Sequence, residues 1–475
     1  MSLIDSHVRS EAPSALKALN SAHVSKLIML LTFLLASAAI TIHAPGQISM
    51  DTSVQLFEAH NGQSVSWNPP FMSALLSWLG GGEISTALIV LFNTILLYGA
   101  FAIIALTMLQ IRAARGLTHI ATWRVVLGLL LIINPIIFIY VGIVWKDVLF
   151  ASLLTAGCAC AIAATVGSPL RRYGCICLSL ILLGAGFQAR QQGVFMAPIL
   201  VLAPIFAVYS FKPEKKLLTA SVILVLFVAV ILGIQHQVNS TIKGADNRAS
   251  SVGFRGIMQF DLAGIISDTN RPHDELAYPI TDEQFTAIKS AYDPSRIDFL
   301  DLNPIVRNWL ASIPDNTLRH QWWAMVKQNP SAYLQHRITT YATLIGLRGI
   351  NGTLPVFIGV DGNPTYLATV GMTPGTGKRA QKIYNVAVSF FKWPIYRHFF
   401  WMSALIVIVA VGARTALPLF IKLIGVVVTI ATLLMYASFL PTTIASDFRY
   451  LFGAIPLVMA LSLILLFGAD RNKIA

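Results

Sequence analysis

Residues 51–70 read DTSVQLFEAHNGQSVSWNPP. This is the first polar segment after the first long apolar run, and it contains no Lys or Arg. Asp51, Gln55 and Glu58 fall at i, i+4 and i+7, which places them on one face of a short helix. Val54 and Phe57 take the other face, and Asn61-Gly62 supplies the stop. The spacing predicts a juxtamembrane helix with its apolar side down and its carboxylates up. Trp67 and Pro69-Pro70 then return the chain to the membrane in an extended or kinked form. Asp51 either caps that helix and nothing more, or also serves chemistry at the membrane surface.

The surrounding composition fixes the class. The chain has 475 residues, 56% of them hydrophobic and 12% charged, with a mean hydropathy of +0.69. Soluble domains carry about a quarter charged residues, so this is an all-α polytopic membrane protein. The formal net charge of +13 is read as Lys and Arg held on the cytoplasmic face rather than as a nucleic-acid footprint. The apolar run 27–44 follows a polar start and reads as a retained span. Cys158, Cys160, Cys175 and Cys177 form two Cys-x-Cys pairs in apolar helices. Residues two apart on a helix point away from each other, so these are expected to be buried thiols rather than a metal site.

With about 20 apolar residues per crossing, about ten transmembrane helices are expected: near 26–44, 85–111, 125–144, 148–167, 173–188, 193–211, 217–235, 398–413, 416–438 and 450–468. One set of connections holds Arg9, Lys17 and Lys26, then Arg112, Arg115 and Arg124, then Arg171 and Arg172. Lys212, Lys215, Lys216, Arg414, Lys422, Arg471 and Lys473 continue it. The short loops on the other side hold only Lys146, Arg190 and Arg449, which places both termini in the cytoplasm. The expected organisation is a cytoplasmic segment 1–25, an N-terminal membrane module 26–235 with its first outer loop at 45–84, an extracytoplasmic insert 236–397 of mixed structure, and a C-terminal membrane module 398–475. Within the insert, helices are expected at 282–292 and 317–345. Trp322, Trp323, Tyr333 and Tyr341 suit a helix at the bilayer interface.

The three outer cations oppose easy insertion, so each needs a reason to be there. Local pairing, Lys146 with Asp147 and Arg449 with Asp447, is one. Arg190 has no acid beside it in sequence, and its alternative is to snorkel to headgroups. Taken together, Lys146, Arg190 and Arg449 suit an anion at the outer surface, with phosphate the natural choice. Glu58, Asn68, Asp147, Gln191, Gln192, Asp447 and Tyr450 fall on the same membrane face as candidate substrate-binding groups. A carboxylate base with phosphate-binding cations suits displacement of a phosphate leaving group by an acceptor hydroxyl. A lipid-linked phosphate is the donor most easily presented there.

At this point the chain resembles the GT-C superfamily, integral-membrane glycosyltransferases that use polyprenyl-phosphate sugars. The resemblance rests on MDTSVQLFEAHNGQSVSWNPPFMSALL, VWKDVLFA, NPSAYLQHR and the Asp-x-Arg-Tyr of residues 447–450, and on the layout of most of the chain. It implies that Asp51 is the catalytic base and that Lys146, Arg190 and Arg449 bind the donor phosphate. It also implies inversion at the sugar C1, often without an essential metal. The bacterial members it is most similar to decorate O-antigen, lipopolysaccharide or other surface glycans from the periplasmic face of the inner membrane. Expected partners are therefore a polyprenyl-phosphate-linked sugar, a glycan or lipid-linked glycan acceptor, and membrane lipids, with no nucleic acid. Two departures stand out: many relatives have a longer first loop with two juxtamembrane helices, and many carry the soluble domain after the last span.

No cofactor is expected. Asp51, Glu58 and His60 could offer ligands to a divalent metal, but His60 falls off the face that Asp51 and Glu58 share. An O-antigen polymerase or ligase would rely on outer Arg and His without a carboxylate base after the first span. A flippase or transporter would place ionisable groups near the bilayer midplane, often with repeats, and neither is visible here.

Overall fold

The computed structural model describes residues 18–211, 214, 216–244, 248–277 and 280–469. Arg9, Lys17, Lys212, Lys215, Arg471 and Lys473 lie outside them, as does most of the expected N-terminal segment.

The N-terminal half runs α1 (Ser21–His43), α2 (Met50–Asn61), α3 (Phe71–Trp78), α4 (Gly82–Ala114), α5 (Thr122–Ile132), α6 (Pro135–Tyr140), α7 (Lys146–Ala163), α8 (Pro169–Ala189), α9 (Gly193–Leu200), α10 (Leu202–Tyr209) and α11 (Lys216–Thr241). The insert follows as α12 (Arg248–Asp268), α13 (Asp282–Ala291), α14 (Asp298–Leu302), α15 (Pro304–Ser312), α16 (Asp315–Gln328), α17 (Pro330–Leu344), α18 (Pro364–Thr369) and α19 (Lys378–Ser389). The chain closes with α20 (His398–Ala413), α21 (Leu419–Phe439) and α22 (Ala454–Gly468).

Among the described residues, seven helical segments are long and apolar enough to cross a membrane, and three shorter apolar ones accompany them at 193–209, 398–413 and 454–468. Their positions match the ten expected from hydropathy. The span expected at 125–144 is broken, because α5 stops before Asn134-Pro135. The Asn134 side chain caps α6 by accepting from Ile136 N at 2.9 Å, and Pro135 sits in the first turn of α6, where a missing N–H costs nothing.

Helix α7 is the pillar of the bundle. Every residue from Lys146 to Ala163 is buried, packed between α4 and α8. Small residues permit this approach: a Cβ on Gly157 or Gly186 would collide with Leu183 or Leu154. Cys158 and Cys160 are buried on this pillar, whereas on α8 Cys175 is half-buried and Cys177 exposed, so the expectation of buried thiols holds for the first pair and fails for the second. At the far end of the bundle, Arg112 and Arg124 donate to the backbone carbonyls of Leu465 and Ala469, closing the C-terminus of α22.

The regular structure of the insert is helical. The two short strands of the described chain, Ala18–Asn20 and His119–Ala121, pair with each other in the membrane module. α12 forms the insert's axis, with Phe260, Leu262 and Ile265 packed against residues of α13, α16 and α17. The stretch expected as one interfacial helix at 317–345 is two helices, split at Asn329-Pro330. Trp322 turns inward and its Nε1 donates to Asp261 Oδ2 at 2.8 Å. Asp261 is fully buried and also meets Arg337 Nε at 2.6 Å and His336 Nε2 at 3.3 Å. A desolvated carboxylate persists only when so surrounded.

Candidate functional site

The site is assembled where α2, the start of α7, the end of α8, the segment before α22 and a loop of the insert meet. α2 begins after Ser49, whose backbone is extended and whose side chain makes no capping bond. That hydroxyl accepts from Trp145 Nε1 at 2.8 Å, and Thr52 Oγ1 donates to Val144 O at 2.6 Å. α2 is thereby riveted to the entrance of α7. From the opposite side, the segment 353–377 drapes over it. Ile48 N donates to Gly359 O and Asp361 N to Ile48 O, and Phe57 stacks on Tyr366 at 4.0 Å. Gly362 allows the closest approach, since a Cβ there would fall 2.2 Å from Ser53 Oγ.

Asp51 caps nothing. Its Oδ2 accepts from Arg449 Nη1 at 2.7 Å, and its side chain stays 37% exposed beside a guanidinium that is 13% exposed. Burial opposes the charged carboxylate, but Arg449, and after it Lys146, outweigh that and hold Asp51 below its ordinary pKa. Arg449, though itself desolvated, is driven further toward its charged form by Asp51 and its other neighbours. Asp51 is therefore a carboxylate open to solvent whose charge is held in place by a neighbouring cation.

The other sequence-derived residues fall into place around this pair with two revisions. Arg190 is not without an acid: its Nη1 meets Asp147 at 2.5 Å and donates to Tyr450 O at 2.8 Å. The Lys146–Asp147 pairing gives way to Lys146 donating to Asn68 Oδ1 and lying 5.5 Å from the Trp67 ring. The Asp447–Arg449 pairing is present, Oδ2 to Nε at 3.2 Å, and Asp447 Oδ1 meets Arg296 Nη2 as well. The guanidinium of Arg449 lies 4.9 Å from the Trp145 ring and 5.3 Å from that of Tyr450.

Glu58 is the main correction to the reading of α2. It points into the protein, fully buried. Its Oε1 accepts from Val65 N at 2.9 Å and Ser66 N at 2.8 Å, and its Oε2 from Ser73 Oγ at 2.6 Å. These bonds fold residues 62–73 back onto α2, and the first loop then continues into a second short helix, α3, where an extended return was expected. The face bearing Gln55 and Glu58 is the buried one, and Val54 and Phe57 are half exposed. Gln191 is exposed and Gln192 half-buried at the turn between α8 and α9. Among the described residues, no hydrogen bond joins either side chain to the ionic cluster.

Sequence reasoning missed Arg296, Trp145 and the 353–377 strap. Trp145 stood beside Lys146 in VWKD, and an aromatic flanking a retained cation was the available signal. Arg296 lies about 150 residues from its partner in a turn-rich loop, with nothing local to mark it. With it, four cations (Lys146, Arg190, Arg296, Arg449) meet four carboxylates (Asp51, Asp147, Asp447 and the exposed Asp298), so the charges of the cluster balance.

The donor set does not fit a divalent ion. Asp51, Asp147 and Asp447 each already face a guanidinium, His60 is exposed, and no three His, Cys, Asp or Glu side chains converge among the described residues.

No family model matches the chain, and no curated protein does. Among solved structures, ArnT from Cupriavidus metallidurans in the apo state is similar at 13% identity and a TM-score of 0.34, over 94% of this chain and 78% of that one. The same protein bound to undecaprenyl phosphate gives 13% identity and 0.32, over 93% and 77%. The archaeal oligosaccharyltransferase AglB from Archaeoglobus fulgidus, in complex with an inhibitory peptide and a dolichol-phosphate, gives 13% and 0.39, over 92% of this chain and 50% of that one. This chain thus spans about half the length of AglB.

Proposed function

We propose that this chain is an inverting membrane glycosyltransferase that moves a sugar from a polyprenyl-phosphate carrier to a hydroxyl of a surface glycan such as O-antigen or lipopolysaccharide. The observation that carries the reading is a partly exposed carboxylate, Asp51, paired with Arg449 and gathered with Lys146 and Arg190 into one ionic cluster. The cations suit an anionic substrate, and the carboxylate suits removal of a proton.

In the reaction, Asp51 takes the proton of an acceptor hydroxyl as its oxygen attacks the sugar C1 from the face opposite the phosphate. The bond from C1 to the phosphate oxygen breaks, and its electron pair remains on the departing polyprenyl phosphate. Arg449, Lys146 and Arg190 stabilise the charge that accumulates there. Arg449 holds both roles in balance. A bidentate phosphate draws the guanidinium away from Asp51, which releases the carboxylate as a base when donor is present.

The charge asymmetry of the loops supports a multi-pass protein of the bacterial inner membrane with cytoplasmic termini and with this site and the insert in the periplasm. The test is transfer by the purified protein from a panel of polyprenyl-phosphate sugars, read as released polyprenyl phosphate and glycosylated acceptor. Product from at least one donor that disappears on Asp51→Asn supports the reading. Equal turnover by that variant removes it and leaves a polymerase- or ligase-type chemistry.

A further inference from the structure

Arg449 is linked, through Asp447, to a residue of the insert. Arg296 lies on the insert between α13 and α14, and its Nη2 meets Asp447 Oδ1 while its Nη1 meets Asp298 at 3.1 Å. The other oxygen of Asp447 holds Arg449 Nε. The backbones on either side are stitched together: Ile297 N donates to Ile444 O at 2.8 Å, Ser446 N to Ser295 O at 2.7 Å, and Phe448 N to Thr353 O at 2.7 Å. An alternating chain therefore runs from the insert to the candidate base: Arg296, Asp447, Arg449, Asp51.

We infer that Arg296 is a positioning residue that divides the charge of Asp447 and so keeps Arg449 available to an incoming lipid phosphate. The inference rests on the glycosyltransferase reading above. With Arg296 present, Asp447 spends one oxygen on each arginine. Without it, the whole carboxylate turns to Arg449 and fixes its fork. Removing Asp447 has the opposite effect, freeing Arg449 from one of its two acids.

The two partners of one ion pair therefore carry opposite signs. Binding of a short-chain polyprenyl phosphate to the full-length protein in detergent is the readout, at constant low salt. Arg296→Gln is expected to weaken it on the order of tenfold. Asp447→Asn is expected to leave it equal or tighter, and the Arg296→Gln/Asp447→Asn double variant to return it to near the wild-type value. Arg296→Lys, with one donor point in place of a fork, falls between wild type and Gln, and serves as the probe if Arg296→Gln does not yield monodisperse protein. Weakening of similar size in both single variants, with an additive double, marks a merely structural pair and overturns the inference. Loss of binding on Arg449→Gln with no change on Arg296→Gln overturns the inference alone. Full binding on Arg449→Gln overturns the inference and the phosphate-binding role of Arg449 together.

Discussion

Asp51 and Glu58 stand seven residues apart on one helix and are expected to fail in opposite ways. Glu58 closes the first loop by accepting from Ser73 Oγ, which is buried, and from Val65 N and Ser66 N, which are partly buried. Hydrogen bonds to a charged acceptor contribute about 1.5–3 kcal/mol and neutral ones about 0.5–1.5. Glu58→Gln keeps one acceptor oxygen and loses charge assistance of about 1–1.5 kcal/mol on each of three bonds, so it costs about 3–4.5 kcal/mol. Glu58→Ala strands all three donors and costs about 3–9 kcal/mol before any water enters. Asp51 instead makes one ion pair that is partly open to solvent, and pairs of that kind contribute about 0–1 kcal/mol. Asp51→Asn should therefore leave folding nearly unchanged while removing a general base, which lowers the rate roughly 10²- to 10⁴-fold. The assay pairs apparent Tm in detergent with single-turnover sugar transfer. Glu58→Gln should lower Tm while its folded fraction, measured well below that Tm, keeps near wild-type turnover; Asp51→Asn should do the reverse. A Glu58→Gln variant of unchanged Tm and abolished turnover would refute the assignment of the two acids.

Three further outcomes follow from the geometry. Arg449 holds the Asp51 carboxylate in its charged form, so the wild-type acid limb of kcat/KM lies below the ordinary carboxylate range. Arg449→Gln should move that limb to higher pH, and an unmoved limb would separate Asp51 from the titrating group. Burial lowers the pKa of His336 from its ordinary value. The unfolded chain takes up a proton there that the folded one refuses, so stability falls as pH drops below about 6.5; apparent Tm between pH 7.5 and 5.5 should decline, and less steeply in His336→Gln. Alkylation of the folded protein with a membrane-permeant maleimide should modify Cys177 and spare Cys158 and Cys160, which mass spectrometry of the α7 and α8 peptides would show.

The membrane helices were legible because burial in lipid leaves a long apolar signature: among the described residues, seven of the ten expected positions hold segments long enough to cross and three hold shorter apolar helices. That Asp51 and Arg449 share one membrane face was legible in the charge asymmetry, but their direct pairing was not, because the sequence offered Asp447 as the partner of Arg449. Periodicity could place Asp51 and Glu58 on a common face but could not say what lay over each end of the helix. The N-terminal end opens onto the cluster, while residues 62–68 fold back over the C-terminal end and take Glu58 out of reach. The Arg190–Asp147 and Arg296–Asp447 pairs were beyond sequence reasoning for a simpler reason. Each joins side chains that only tertiary packing brings together, the second across 151 positions.

The pillar α7 carries one more consequence. Because none of its residues from Lys146 to Ala163 faces the surroundings, the hydrocarbon that surrounds the bundle presses on α1, α8, α11 and α20 instead. A thinner or thicker bilayer can tilt that outer ring, but the strut bearing Lys146 and Asp147 is insulated from it. Turnover measured in lipids of different chain length should accordingly vary through access of the lipid substrate far more than through the spacing of the charged groups.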